Sequence, residues 1–73
     1  MNQNEFIDLL IEEIEIEDTD ITLATMLESI EEWDSLAVMT TISLSDEHFN
    51  KKVTASDIKT ASTVEELFNL LKN

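Results

Sequence analysis

Residues 33–50 read WDSLAVMTTISLSDEHFN. An aspartate followed by a serine and an apolar run is the pattern of a helix start, with Asp34 as the cap and Ser35 opening the helix. Leu36, Met39, Ile42 and Phe49 recur at helical spacing and predict its apolar stripe. Asn50 tolerates the left-handed geometry that ends helices, and Lys51 and Lys52 follow near the negative end of the dipole. Together these signs predict a helix over residues 35–49.

Outward from that helix the same periodicity recurs on both sides. Phe6, Ile7, Leu10, Ile11 and Ile14 alternate with Asp8, Glu12, Glu13 and Glu15, which predicts an amphipathic helix over about 3–16, capped by Asn2 or Asn4. Glu17-Asp18-Thr19-Asp20 breaks the pattern, because these residues favour turns and caps. Residues 17–34 then form a long connection whose Ile21, Leu23, Leu27 and Ile30 are spaced to anchor it on the helices. Connections of that length in small domains are often functional. Ser56-Asp57-Ile58-Lys59 predicts a short helical turn. Thr63, answered by Glu66 three residues later, predicts a capping box for a last helix with Val64, Leu67, Leu70 and Leu71 buried. The expected fold is all-α: a small bundle of three main helices plus a short additional one, in a single domain spanning residues 1–73.

Composition narrows the function. Residues 1–50 hold 14 Asp and Glu and no Lys or Arg, while residues 51–73 balance three acids with four lysines, for a net charge of −13. Such a surface repels phosphate backbones and excludes nucleic acid as a partner. It steers basic protein surfaces instead, with a salt-sensitive on-rate. High charge accompanies disorder, but a 42% hydrophobic content with clear periodicity predicts a folded domain weakened by self-repulsion at low salt. The chain has no glycine and no proline, so its turns are built from Asn, Asp, Ser and Thr. The apolar runs are too short to span a membrane, and Met1 to Glu5 lack the basic start of a signal peptide. A soluble, cytoplasmic monomer is the expectation.

Several chemistries are excluded by what is missing. Without cysteine there is no thiol nucleophile, thiolate ligand or disulfide. Without glycine there is no phosphate-cradling loop and no EF-hand turn, so Glu15, Glu17, Asp18 and Asp20 do not make a dedicated calcium site. His48 is the lone histidine and reads as a solvated surface residue. It stands more than three turns from Ser35 on one helix, which makes a poor hydrolase pair. Neither a catalytic nor a metal site is expected, and the protein is not expected to be an enzyme. Asp34-Ser35-Leu36 remains. A serine at the first turn of a helix presents its hydroxyl beside unpaired backbone N–H groups, where an attached phosphate is favoured. By itself the tripeptide is an ordinary helix start.

Its context is more specific. Trp33-Asp34-Ser35-Leu36, Asp46-Glu47-His48-Phe49, Val53-Thr54-Ala55-Ser56-Asp57-Ile58 and Thr63-Val64-Glu65-Glu66-Leu67 follow in an order and spacing that resemble the acyl carrier protein family over the whole chain. The resemblance implies that a phosphopantetheinyl transferase moves the 4′-phosphopantetheine arm of coenzyme A onto Ser35. Asp34 would assist near the transferase's magnesium ion. The arm's thiol would carry an acyl cargo as a thioester. Acyl-loading and acyl-accepting enzymes with basic docking surfaces would read the second helix through Leu36, Met39, Asp46 and Glu47.

Two departures from that family stand out. Many members have glycine two residues before the motif's aspartate, where this chain has Glu32, followed by Trp33 as a cover for the core. Thr41, Ser43 and Ser45 occupy positions that tend to be apolar in fatty-acid carriers, and Ala37 to Thr41 lack the acids usual there. A pocket edged with hydroxyls holds a long alkyl chain poorly, which predicts a short or polar cargo in a specialised pathway. An aminoacyl or peptidyl carrier is the alternative within the class. Outside it stand an unmodified small acidic helical interaction protein and a metal-binding regulator.

Overall fold

A computed structural model describes residues 1–72. Four helices follow one another: α1 (Gln3–Ile14), α2 (Ser35–Phe49), α3 (Ala55–Lys59) and α4 (Val64–Lys72), with a single 3-10 turn at Leu27–Ser29 inside the long connection. The all-α bundle of three main helices and a short one is therefore as expected. α1 starts on a reciprocal box in which Asn2 Oδ1 accepts from the Glu5 amide and Glu5 Oε1 accepts from the Asn2 amide. It ends two residues earlier than the apolar spacing predicts. Glu15 turns left-handed (φ 59°) and its amide reaches back to the Ile11 carbonyl, which drops Ile16 into the core.

The core gathers Phe6 and Leu10 of α1, Ile21, Leu27 and Ile30 of the connection, and Val64, Leu67, Phe68 and Leu71 of α4. Phe6 meets Phe68 at a tilt, with ring centroids 5.0 Å apart, and Phe49 edge-on at 5.9 Å. Truncating Phe6 to alanine would cost about 3–5 kcal/mol, a large share of what so small a domain can have. The anchors expected in the connection are in place: Ile21, Leu27 and Ile30 are buried and Leu23 is half-buried.

The connection also starts α4. The first amides of a helix have no partner within it, and here Val64 donates to the Thr25 carbonyl and Glu65 to the Leu23 carbonyl, each at 3.0 Å. Thr63 Oγ1 accepts from the Glu66 amide, but the Glu66 carboxylate binds the amide of Ser62, one residue before the partner that the capping-box pattern predicts. α3 carries a complete box between Thr54 and Asp57.

The apolar stripe predicted for α2 is corrected by the structure. Leu36 and Met39 are 70% and 63% exposed, and Ile42 and Phe49 are half-buried. The face turned inward is Ala37, Val38, Thr41, Leu44 and Ser45. Burial of Thr41 and Ser45 is affordable because each hydroxyl has a partner: Thr41 Oγ1 donates to the Ala37 carbonyl at 2.9 Å and Ser45 Oγ to the Lys51 carbonyl at 2.7 Å. Ser43 faces solvent, so it edges no pocket in the interior. Lys51 also departs from expectation. Its ammonium crosses to α4 and donates to the Leu70 carbonyl at 2.6 Å, while Lys52 lies 3.8 Å from Asp46.

Candidate functional site

The start of α2 is held from both sides. The Trp33 amide donates to the Ile30 carbonyl at 3.0 Å, and the Glu32 carboxylate accepts from the Glu17 amide at 3.1 Å, tying the end of the connection to its beginning. Glu32 is thus a brace between backbone segments. Trp33 is half-buried and packs on the core, as expected of a cover.

Asp34 is the cap. Its backbone is extended, its Oδ1 accepts from the Ala37 amide at 2.9 Å, and its carbonyl accepts from Val38 at 3.0 Å. Ser35 is therefore the first residue of a well-formed helix and is exposed. The amides of Ser35 and Leu36 precede the helix's own hydrogen-bond ladder and sit at the positive end of its dipole. Other hydroxyls on α2 lack this combination. Those of Thr41 and Ser45 are buried and donate to carbonyls. Ser43 is exposed but lies mid-helix, where amides are already paired.

Leu36 and Met39 are one turn apart and project from the same side of α2 as an exposed apolar pair next to Ser35. Asp46 and Glu47, also exposed, belong to the other end of the helix, roughly 16 Å from Ser35 along the axis. The structure therefore brings Asp34, Ser35, Leu36 and Met39 together and leaves Asp46 and Glu47 apart. His48 is exposed near the far end of α2.

Two clefts flank this constellation, both open to solvent. One of about 410 Å³ lies between the end of α1 and the start of α2, lined by Glu13, Ile14, Glu15 and Glu32 with Asp34, Leu36, Ala37 and Thr40. The other, about 240 Å³, lies under Trp33 against Leu27, Ile58, Lys59 and Ala61. A third cleft, of about 360 Å³, runs among the acids of the connection. The apolar spacing of α1 ends at Ile14, and nothing in it signals that Glu13 and Glu15 face the start of α2 across a cleft. Among the described residues no group of three acids or histidines converges as a metal site, and no helix is long and apolar enough to cross a membrane.

The sequence matches the family described as "Phosphopantetheine attachment site" over residues 4–71. No curated protein and no solved structure matches it.

Proposed function

The chain belongs to the phosphopantetheine-attachment family, and from that premise we propose that Ser35 is the residue that takes the arm, in a carrier of short or polar acyl groups. Family membership makes the protein a non-catalytic carrier whose cofactor is covalent 4′-phosphopantetheine. When bound, the arm supplies a terminal thiol that holds an acyl group as a thioester, chemistry that a chain without cysteine does not supply itself.

One observation carries the assignment to Ser35: it is the hydroxyl on α2 that is both exposed and placed at a capped first turn. These residues fit a phosphate ester. The serine oxygen is accessible, the amides of Ser35 and Leu36 point to the same end of the helix, and the dipole there favours negative charge. Asp34 has a double part in this reading. One carboxylate oxygen holds the Ala37 amide and fixes the turn, while its negative charge meets the magnesium of a visiting phosphopantetheinyl transferase. Leu36 and Met39 are the apolar contact for that enzyme and for those that load and accept the cargo. Residues 1–73 act as one carrier domain, working where coenzyme A is available, in the cytoplasm.

The polar inner face of α2 supports the short-cargo reading. Thr41 and Ser45 bring hydroxyls to the buried face of α2 where an alkyl chain needs apolar partners, and both hydroxyls are committed to carbonyls. An alkyl chain laid against that face would meet two hydroxyls in place of apolar side chains, at a cost of about 1–3 kcal/mol for each one it left unsatisfied.

The test is intact-protein mass after incubation with coenzyme A, magnesium and a promiscuous phosphopantetheinyl transferase. The wild type and Ser43→Ala should each gain one phosphopantetheine, and Ser35→Ala none. A gain that persists in Ser35→Ala would move the attachment elsewhere.

A further inference from the structure

We infer, resting on the reading above, that partner enzymes dock on the α1 side of Ser35 and place a basic side chain in the cleft between the end of α1 and the start of α2. The charge around Ser35 is one-sided. The α1-side cleft presents Glu13, Glu15, Glu32 and Asp34. The cleft under Trp33 is instead lined by one acid, Glu28, and one base, Lys59. α2 has no acid before Asp46, and Asp46 already has Lys52 at 3.8 Å. Asp46 and Glu47 stand roughly 16 Å from Ser35 along the helix axis, beyond the screening length of about 10 Å at 0.1 M salt. The α1-side cleft is lined by Asp34 and Leu36, the neighbours of Ser35 on either side in the chain.

Shape and chemistry agree on the occupant. The cleft has about 410 Å³ of space and is lined by the apolar Ile14 and Ala37 together with the carboxylates, which suits an arginine or lysine with its methylene stem on the apolar side chains and its charged head on the acids. Leu36 stands at the rim, 70% exposed, as the apolar anchor for a hollow beside that basic residue. The Glu32 carboxylate is already oriented by the Glu17 amide, so part of the receptor is set before a partner arrives. The partner is therefore a protein surface with an arginine or lysine next to an apolar depression.

Steady-state kinetics of a promiscuous phosphopantetheinyl transferase test this, with the apo chain as substrate at low and moderate salt. The variants are Glu13→Gln/Glu15→Gln and Asp46→Asn/Glu47→Gln, each checked for native helicity. The α1-side pair should raise KM roughly three- to tenfold with kcat unchanged, as expected for two rim ion pairs, and flatten the salt dependence. The α2-end pair should change KM less than about twofold. Unchanged KM in the α1-side variant, or a larger effect from the α2-end pair, overturns the inference while leaving the carrier reading intact. A wild-type chain that takes no arm removes both.

Discussion

Ser45 and Lys51 hold each other across the end of α2: the serine hydroxyl donates to the lysine carbonyl at 2.7 Å, and the lysine amide donates to the serine carbonyl at 3.2 Å. The same lysine extends its ammonium to the Leu70 carbonyl of α4. Lys51 thus joins the ends of two helices that the core brings together, and the buried serine holds its backbone in place. Ser45→Ala would leave the Lys51 carbonyl without its donor and should cost about 1–3 kcal/mol. Thr41→Val should cost less than about 1 kcal/mol, because Thr41 donates to the Ala37 carbonyl of its own helix and contributes no tie between elements. Urea denaturation of both variants checks the order. Equal costs would mean that the tie between helices contributes nothing beyond a satisfied hydroxyl.

Leu36→Ala and Met39→Ala should leave stability within about 0.5 kcal/mol of wild type, since both side chains face solvent. Both should weaken handling by the transferase, where an apolar contact is lost. A fall in the urea midpoint comparable to that of a core truncation would put these residues back in the interior.

The misreading of α2 has a physical cause. Hydropathy spacing locates a core face only when apolar residues point inward. Here Leu36 and Met39 stay outside and the hydroxyls of Thr41 and Ser45 are satisfied inside, so the two signals are exchanged. Elements with ordinary signals were legible. Phe6, Leu10 and Ile14 announced α1, and Thr63 announced α4. The cap at Asp34 followed from residue type alone. The pairing of Val64 and Glu65 with Thr25 and Leu23 was not legible, because a backbone carbonyl leaves no mark in the sequence. The same holds for the cleft beside Asp34 and Leu36, whose Glu13 and Glu15 lie about 20 residues upstream and share its lining only in three dimensions.

Asp34 separates shape from charge. Asp34→Ala loses the cap and should destabilise the domain by about 1 kcal/mol. Asp34→Asn keeps a cap of equal quality, so its thermal midpoint should match wild type while arm transfer slows by about tenfold, the equivalent of one charge-assisted contact. Thermal unfolding and transfer rates measured together decide it. Equal transfer rates for Asp34→Asn and wild type would reduce Asp34 to a helix cap.

Glu15 holds a left-handed backbone at φ 59° without being glycine. That conformation costs a residue with a Cβ about 1–2 kcal/mol, and glycine gives back about 0.5–1 kcal/mol through its freer unfolded chain. Glu15→Gly should therefore raise the thermal midpoint by a few degrees, given about 4–8 °C per kcal/mol in domains of this size. Glu15→Gln removes the charge and keeps the Cβ, so it isolates the backbone effect. Asn50, also left-handed at φ 53°, should gain less from glycine because asparagine tolerates the geometry.

Self-repulsion should govern the response to salt. The chain carries a net charge of −13, and the salt bridge among the described residues, Lys52 with Asp46, spans 3.8 Å between largely exposed groups. Screening shortens the reach of repulsion from about 30 Å at 0.01 M to about 10 Å at 0.1 M. The exposed acids of α1 and the connection lie within the longer distance of one another, so added sodium chloride should raise the thermal midpoint steadily. Calcium at matched ionic strength separates screening from binding. The carboxylates do not converge on one point, so calcium should stabilise the fold by no more than its contribution to ionic strength. A saturable rise with calcium, reversed by chelation, would instead reveal a metal site and restore the regulator reading.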